Sequence, residues 1–160
     1  MKNNTLITVI ACLALTLMGC PYSSSVNLGK AEIKTDNSII KKWKQGTDYF
    51  YKVLKYDEYS YTIKKISQTT GDLSETYIGY ITDIDGTKYM TVHTDGSSSP
   101  SYYFYKFEQS GTNKITLTPV TENIDETFTS PSDLFSFFKK NQKNSYFFDN
   151  DEEEYTAVEE

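Results

Sequence analysis

The chain has 160 residues, with 22 acidic side chains, 16 basic ones and a single histidine, for a net charge of −6. Every basic residue is lysine, so the guanidinium fork that suits phosphate is missing. An acidic chain without arginine is poorly equipped to neutralise phosphates or to grip anionic lipid through basic side chains, which sets nucleic acid aside as a partner.

The chain opens on an address. Lys2 supplies a positive start, Leu6 to Met18 an apolar stretch, and Leu17-Met18-Gly19-Cys20 closes it. That order belongs to a secretory signal rather than to folded structure. A spanning helix needs about 20 apolar residues, and this stretch is shorter and carries Thr8 and Thr16. An ordinary cleavage site wants small residues at both −1 and −3, whereas Leu17 is large. The segment resembles bacterial lipoprotein precursors, whose lipobox has the form Leu-x-Gly-Cys. The resemblance implies that the Cys20 sulfur takes a diacylglyceryl group, that the chain is cut between Gly19 and Cys20, and that the new amine is acylated with a chain such as palmitate. It also implies a membrane-anchored protein of the cell envelope. With Pro21 next, rather than the Asp associated with inner-membrane retention, the outer membrane facing the periplasm is expected. Each buried methylene contributes about 0.8 kcal/mol and two chains hold stably, so three would make release negligible. Cleavage would leave 141 residues, enough for one domain, and no free thiol, since Cys12 departs and Cys20 is consumed.

Residues 20–30, the lipidated Cys20 followed by PYSSSVNLGK, read as a flexible tether, with an edge strand as the alternative. Residues 31–160 read as the domain. Ala31 to Lys42 settles no period. From Trp43 onward the pattern is β: Thr47 to Tyr56 is rich in aromatic and β-branched residues, Tyr59 to Ile66 alternates Tyr59, Tyr61 and Ile63 with polar residues, and Thr76 to Ile84 reads as the next strand. Asp85-Gly86 predicts a tight hairpin into Thr87 to His93. Ser101 to Glu108 is aromatic on both phases, which fits a strand covered on both faces or one displaying tyrosines. Lys114 to Pro119 follows, and Ser145 to Phe148 with Glu153 to Val158 suggests a last strand pair around an acidic turn. One helix is legible at about 131–141: Ser130 as cap, Pro131 in the first turn, Asp133 three residues on, then Leu134, Phe135, Phe137 and Phe138 at one-face spacing. The expected fold is mainly β with one helix, a single antiparallel meander of seven or eight strands curled into a barrel. The helix is expected to plug or flank the barrel mouth.

The runs YIGYITDIDGTKYMTV (77–92), Tyr102 to Phe107, ITLTPV (115–120) and SPSDLFSFFKKN (130–141) are similar to small bacterial lipoproteins with lipocalin-like β-barrels. The resemblance implies fold far more than activity.

Candidate chemistry is sparse. His93 beside Thr94-Asp95 and Ser97 to Ser99 contains the residue types of a triad, but a loop-edge histidine is the simpler reading. Asp83-Ile84-Asp85-Gly86 begins like a calcium loop yet has Thr94 at the twelfth position, where that loop needs Glu, and a hairpin explains it. Asp149 to Glu154 reads as a solvated acidic turn. No catalytic residue, metal or cofactor is therefore expected. There remain the aromatic strands. Tyr49, Tyr51, Tyr61, Tyr103, Tyr105 and Phe107 either line a cavity for a small apolar or amphipathic ligand, or fill a narrow barrel as side chains ordinarily do. An outward tyrosine patch contacting an envelope protein is a third use. The expected function is that of a non-enzymatic, lipid-anchored module binding a small ligand or a protein partner. Its alternatives are a structural lipoprotein docking a membrane complex and, more remotely, a hydrolase.

Overall fold

Successive side chains of a strand point to opposite faces, so the alternation along residues 42–119 gives each strand an inner and an outer surface. The computed structural model describes residues 21–159. Its strands are β1 (Ser23–Ser24), β2 (Lys42–Gln45), β3 (Tyr49–Lys55), β4 (Ser60–Ser67), β5 (Leu73–Ile84), β6 (Thr87–Thr94), β7 (Tyr102–Ser110), β8 (Lys114–Pro119) and β9 (Glu153–Ala157), with the helix α1 (Pro131–Asn141) before β9. From β2 to β8 each strand pairs antiparallel with the next. β9 then enters between β8 and β2, with Tyr155 opposite Ile115 on one side and Ala157 opposite Trp43 on the other. This closes an eight-stranded antiparallel barrel of lipocalin-like form, as expected, and leaves those eight strands without an open edge. The Asp85-Gly86 hairpin is present: both residues take positive φ, 51° and 88°, and Asp83 Oδ1 accepts from the Gly86 N–H at 2.7 Å.

The alternation divides the core in two. Inside the barrel Ile39, Trp43, Val53, Tyr61, Ile81, Met90, Phe107, Ile115 and Tyr155 are buried together. Outside, Ile84, Tyr89 and Phe104 of β5, β6 and β7 are covered by Leu134 and Phe138 of α1, by Phe147, and by Tyr22 and Leu28. Ser101 to Glu108 is thus aromatic on both phases because β7 is covered on both faces. The helix begins as predicted, with Ser130 Oγ accepting from the Asp133 N–H at 3.2 Å and Pro131 in its first turn.

Three expectations are corrected. The helix packs on the outer wall and does not plug the barrel, since none of its residues joins the inner core. Its end is fixed near the β5–β6 hairpin, where Lys139 pairs with Asp85 at 3.0 Å and Gln142 Nε2 donates to Ile84 O at 3.3 Å. Residues 21–30 are not a free tether within the described chain: β1 pairs with Tyr102 and Tyr103, and Leu28 is fully buried. Ser145 to Phe148 forms no strand; it bends through a turn, and Phe148 makes a single bridge to Val120. Phe147 instead packs against the Phe138 ring at 5.1 Å.

Residues 31–41, which settle no period, close one end of the barrel. This is the end bearing the β3–β4, β5–β6 and β7–β8 turns. The Asp36 N–H donates to the Tyr61 hydroxyl at 2.7 Å, Gln109 Nε2 donates to Ser38 Oγ at 2.9 Å, and Lys41 Nζ donates to Thr112 O at 3.0 Å. Ile39 is buried beneath Trp43, whose indole N–H donates to Ile39 O at 2.9 Å. The opposite end stays open.

Candidate binding cup

A cavity of about 390 Å³ enters the barrel from the open end. This volume falls within the range of small-molecule sites. The interior is therefore neither wholly filled nor hollow: side chains fill the closed end and leave a cup above. The deep wall is apolar, with Ile39, Trp43, Val53, Met90, Phe107 and Ile115. Tyrosines form a belt above it: Tyr51 of β3, Tyr77 of β5, Tyr103 and Tyr105 of β7, and Tyr155 of β9. Gln45, Lys65, Thr94, Glu75 and Glu153 bring polar groups to the wall, and Pro21 joins the lining.

Register explains the belt. Tyr51 stands opposite Trp43 across β2–β3 and opposite Lys65 across β3–β4. Lys65 stands opposite Glu75, where the pairing slips between Lys65 and Ile66, and their charges meet at 3.4 Å. The Tyr77 hydroxyl donates to Glu75, that of Tyr155 to Glu153, and that of Tyr51 to Gln45 Oε1 at 3.0 Å. The Tyr51 and Tyr155 rings meet edge to face at 5.3 Å.

The electrostatics follow from burial. Burial, helped by the nearby Glu153 charge, pushes the Tyr51 phenol up to about 12. Burial and then Glu153 raise Tyr105 and Tyr155 as well, and burial with the Glu75 hydrogen bond raises Tyr77. The Tyr77 hydrogen bond, with Lys65, holds the Glu75 carboxyl below the ordinary range. The belt is thus a set of neutral phenols over an apolar floor, with carboxylates among them.

Of the six predicted lining residues, Tyr51, Tyr103, Tyr105 and Phe107 are brought together in the cup. Tyr61 lies beneath it, buried against the closed end. Tyr49 shares Tyr51's face of β3 one pleat further toward the open end, with Lys65 Nζ 4.3 Å from its ring centre. Lys65, Tyr77 and Glu153 were missed as lining residues; Glu153 opens β9, in the strand expected over Glu153 to Val158, and faces the cup, so the solvated reading of 149–154 is corrected at that side chain alone. The alternation Glu153, Tyr155, Ala157 was the signal. His93 lies elsewhere: its Nδ1 is 3.1 Å from Thr94 O and its ring meets Tyr102 at 5.2 Å. Among the described residues no group of three His, Cys, Asp or Glu side chains is arranged to hold a metal, and no helix is long and apolar enough to cross a membrane. Gly19 and Cys20 lie outside the described residues.

The chain matches no protein-family model, no curated protein and no solved structure.

Proposed function

We propose that this is a lipid-anchored envelope protein whose barrel is a non-enzymatic binding cup for a small amphipathic molecule. The observation that carries the proposal is the 390 Å³ cavity with an apolar floor and a tyrosine belt. Such a surface favours a ligand with an apolar body and a polar end, since the floor offers area for burial and the belt offers hydroxyls. An assembly lipoprotein needs no such space; a filled barrel would serve it equally well.

The position of Pro21 supports the link to an anchor. It lines the cup and directly follows Cys20. Lipid chains on residue 20 would hold the open end close to the bilayer, where amphipathic molecules concentrate. The outer membrane is the proposed location, on the identity of Pro21.

Two measurements test the proposal. Growth with labelled palmitate should mark the wild-type protein and leave Cys20→Ser unmarked; an unmodified Cys20 sulfur in the cell-associated protein overturns the anchor. Native mass spectrometry of the Cys20→Ser chain should detect a co-purified small molecule, lost when Leu117→Trp, at a β8 residue of the cup lining, fills the space. A variant that retains the same adduct would show that the adduct sits elsewhere.

A further inference from the structure

The charge balance of the cup wall bears on the head group it would take. Three lining residues carry charge: Lys65, Glu75 and Glu153. Lys65 is committed to Glu75, its cross-strand neighbour, at 3.4 Å. Glu153 stands on β9 with its carboxylate accepting the Tyr155 hydroxyl, and its charge acts on Tyr51, Tyr105 and Tyr155. The wall thus holds two carboxylates against one ammonium, and the surplus negative charge lies among phenol rings.

Aromatic faces are electron-rich, and a carboxylate beside them adds full charge of the same sign. A carboxylate or phosphate head would meet both glutamates and a lysine already engaged, in a chain without arginine. A neutral head would bring nothing of opposite sign to a half-buried carboxylate, whose desolvation would go uncompensated. Only a cation gains from both the carboxylate and the rings.

Resting on the binding-cup reading, we propose that the ligand is a cationic amphiphile. Its amine or quaternary ammonium end seats against Glu153 among Tyr51, Tyr105 and Tyr155, and its apolar body reaches Trp43 and Met90. Trp43, the single tryptophan, reports occupancy from the cup floor.

The nine strands, the helix and the two cores described above lie within residues 21–159, so the test uses the chain from residue 20 with Cys20→Ser. Tryptophan fluorescence is followed during titration with octyltrimethylammonium, octyl sulfate and octanol, probes of equal tail length and different head charge. The ammonium should bind at least about tenfold more tightly than the other two, the margin that carboxylate and ring contacts to a cation give. The isosteric Glu153→Gln should remove most of that preference, by weakening the ammonium and easing octanol, whose binding no longer desolvates a carboxylate, with the β circular-dichroism signal confirming its fold. Octyl sulfate or octanol binding as tightly as the ammonium overturns the cation assignment and leaves the cup. Binding of none of the three overturns both.

Discussion

Gly79 controls how much room the barrel interior keeps. It lies on the inward phase of β5 between Tyr77 and Ile81, and a Cβ there would stand 3.0 Å from Ile63 Cδ1, 3.2 Å from Met90 Sδ and 3.2 Å from Val92 Cγ1. The absent side chain lets these neighbours close in from β4 and β6. Gly79→Val should therefore overpack the interior and destabilise the protein by about 1–3 kcal/mol, read as a lower urea midpoint at unchanged slope. Because Met90 and Val92 line the cup, the displaced side chains should also weaken any ligand that binds there. An unchanged midpoint would mean that Ile63 and Met90 rotate away freely. At this scale the sequence reveals phases and conceals registers. Tyr49, Tyr51 and Val53 share a face by period alone, and so do Tyr103, Tyr105 and Phe107. That Tyr61 lies at the closed end while Tyr51 lies in the cup depends on the pairing of Tyr61 with Lys55 and of Tyr51 with Lys65. No local pattern encodes those partners. Glu153 was concealed differently, because five of the six residues from 149 to 154 are acidic and conventionally belong in water.

The helix shows what element-level patterns can and cannot place. Its boundaries were legible because caps are local chemistry: Ser130, Pro131 and the lysines of the last turn act within one turn of the chain. Its seat was not, because an apolar helical face identifies no partner. The signal was in β5, where Tyr80, Thr82 and Ile84 occupy one phase and Gly79 and Ile81 the other. A strand with no solvated phase over those residues needs a cover on each side. Phe138 provides much of it: its ring lies 5.3 Å from those of Tyr89 and Phe104 and 5.1 Å from that of Phe147, and it is fully buried. Phe138→Ala should destabilise the protein by about 3–5 kcal/mol, measured by denaturant unfolding. Under native conditions its ligand affinity should match wild type, because the inner core does not include this ring. A loss of binding without a loss of stability would show the two cores to be coupled.

The whole molecule carries its titratable groups asymmetrically, and this predicts how stability responds to pH. Eight phenols are raised above the ordinary 10.0, each chiefly by burial: Tyr22, Tyr51, Tyr61, Tyr77, Tyr80, Tyr89, Tyr105 and Tyr155. Tyr51 and Tyr80 reach about 12. Between these values the folded state keeps protons that the unfolded chain has released, so stability must fall as pH rises. The contribution is complete below pH 10 and drains from there to about 12 and above, each fully protected phenol adding up to about 1.4 kcal/mol per pH unit. On the acid side Asp36 and Asp57 are held below the ordinary 3.8 by the backbone N–H groups of Ser38 and Tyr59, and Glu75 below 4.5 by the Tyr77 hydroxyl. Their stabilisation is present above those values and is lost as pH falls beneath them. It is small, because all three are open to solvent. Asp149, raised by burial, has the opposite sign and gains stability on acidification, offsetting part of that loss. The alkaline limb should therefore be the steeper. Phenolate absorbance and the β circular-dichroism signal, followed together from pH 8 upward, should change in one cooperative step above pH 10. If the phenols instead ionise near their ordinary value while the barrel stays intact, the interior is wetter than its packing implies. A cationic ligand in the cup would then be contested by water at every tyrosine of the belt.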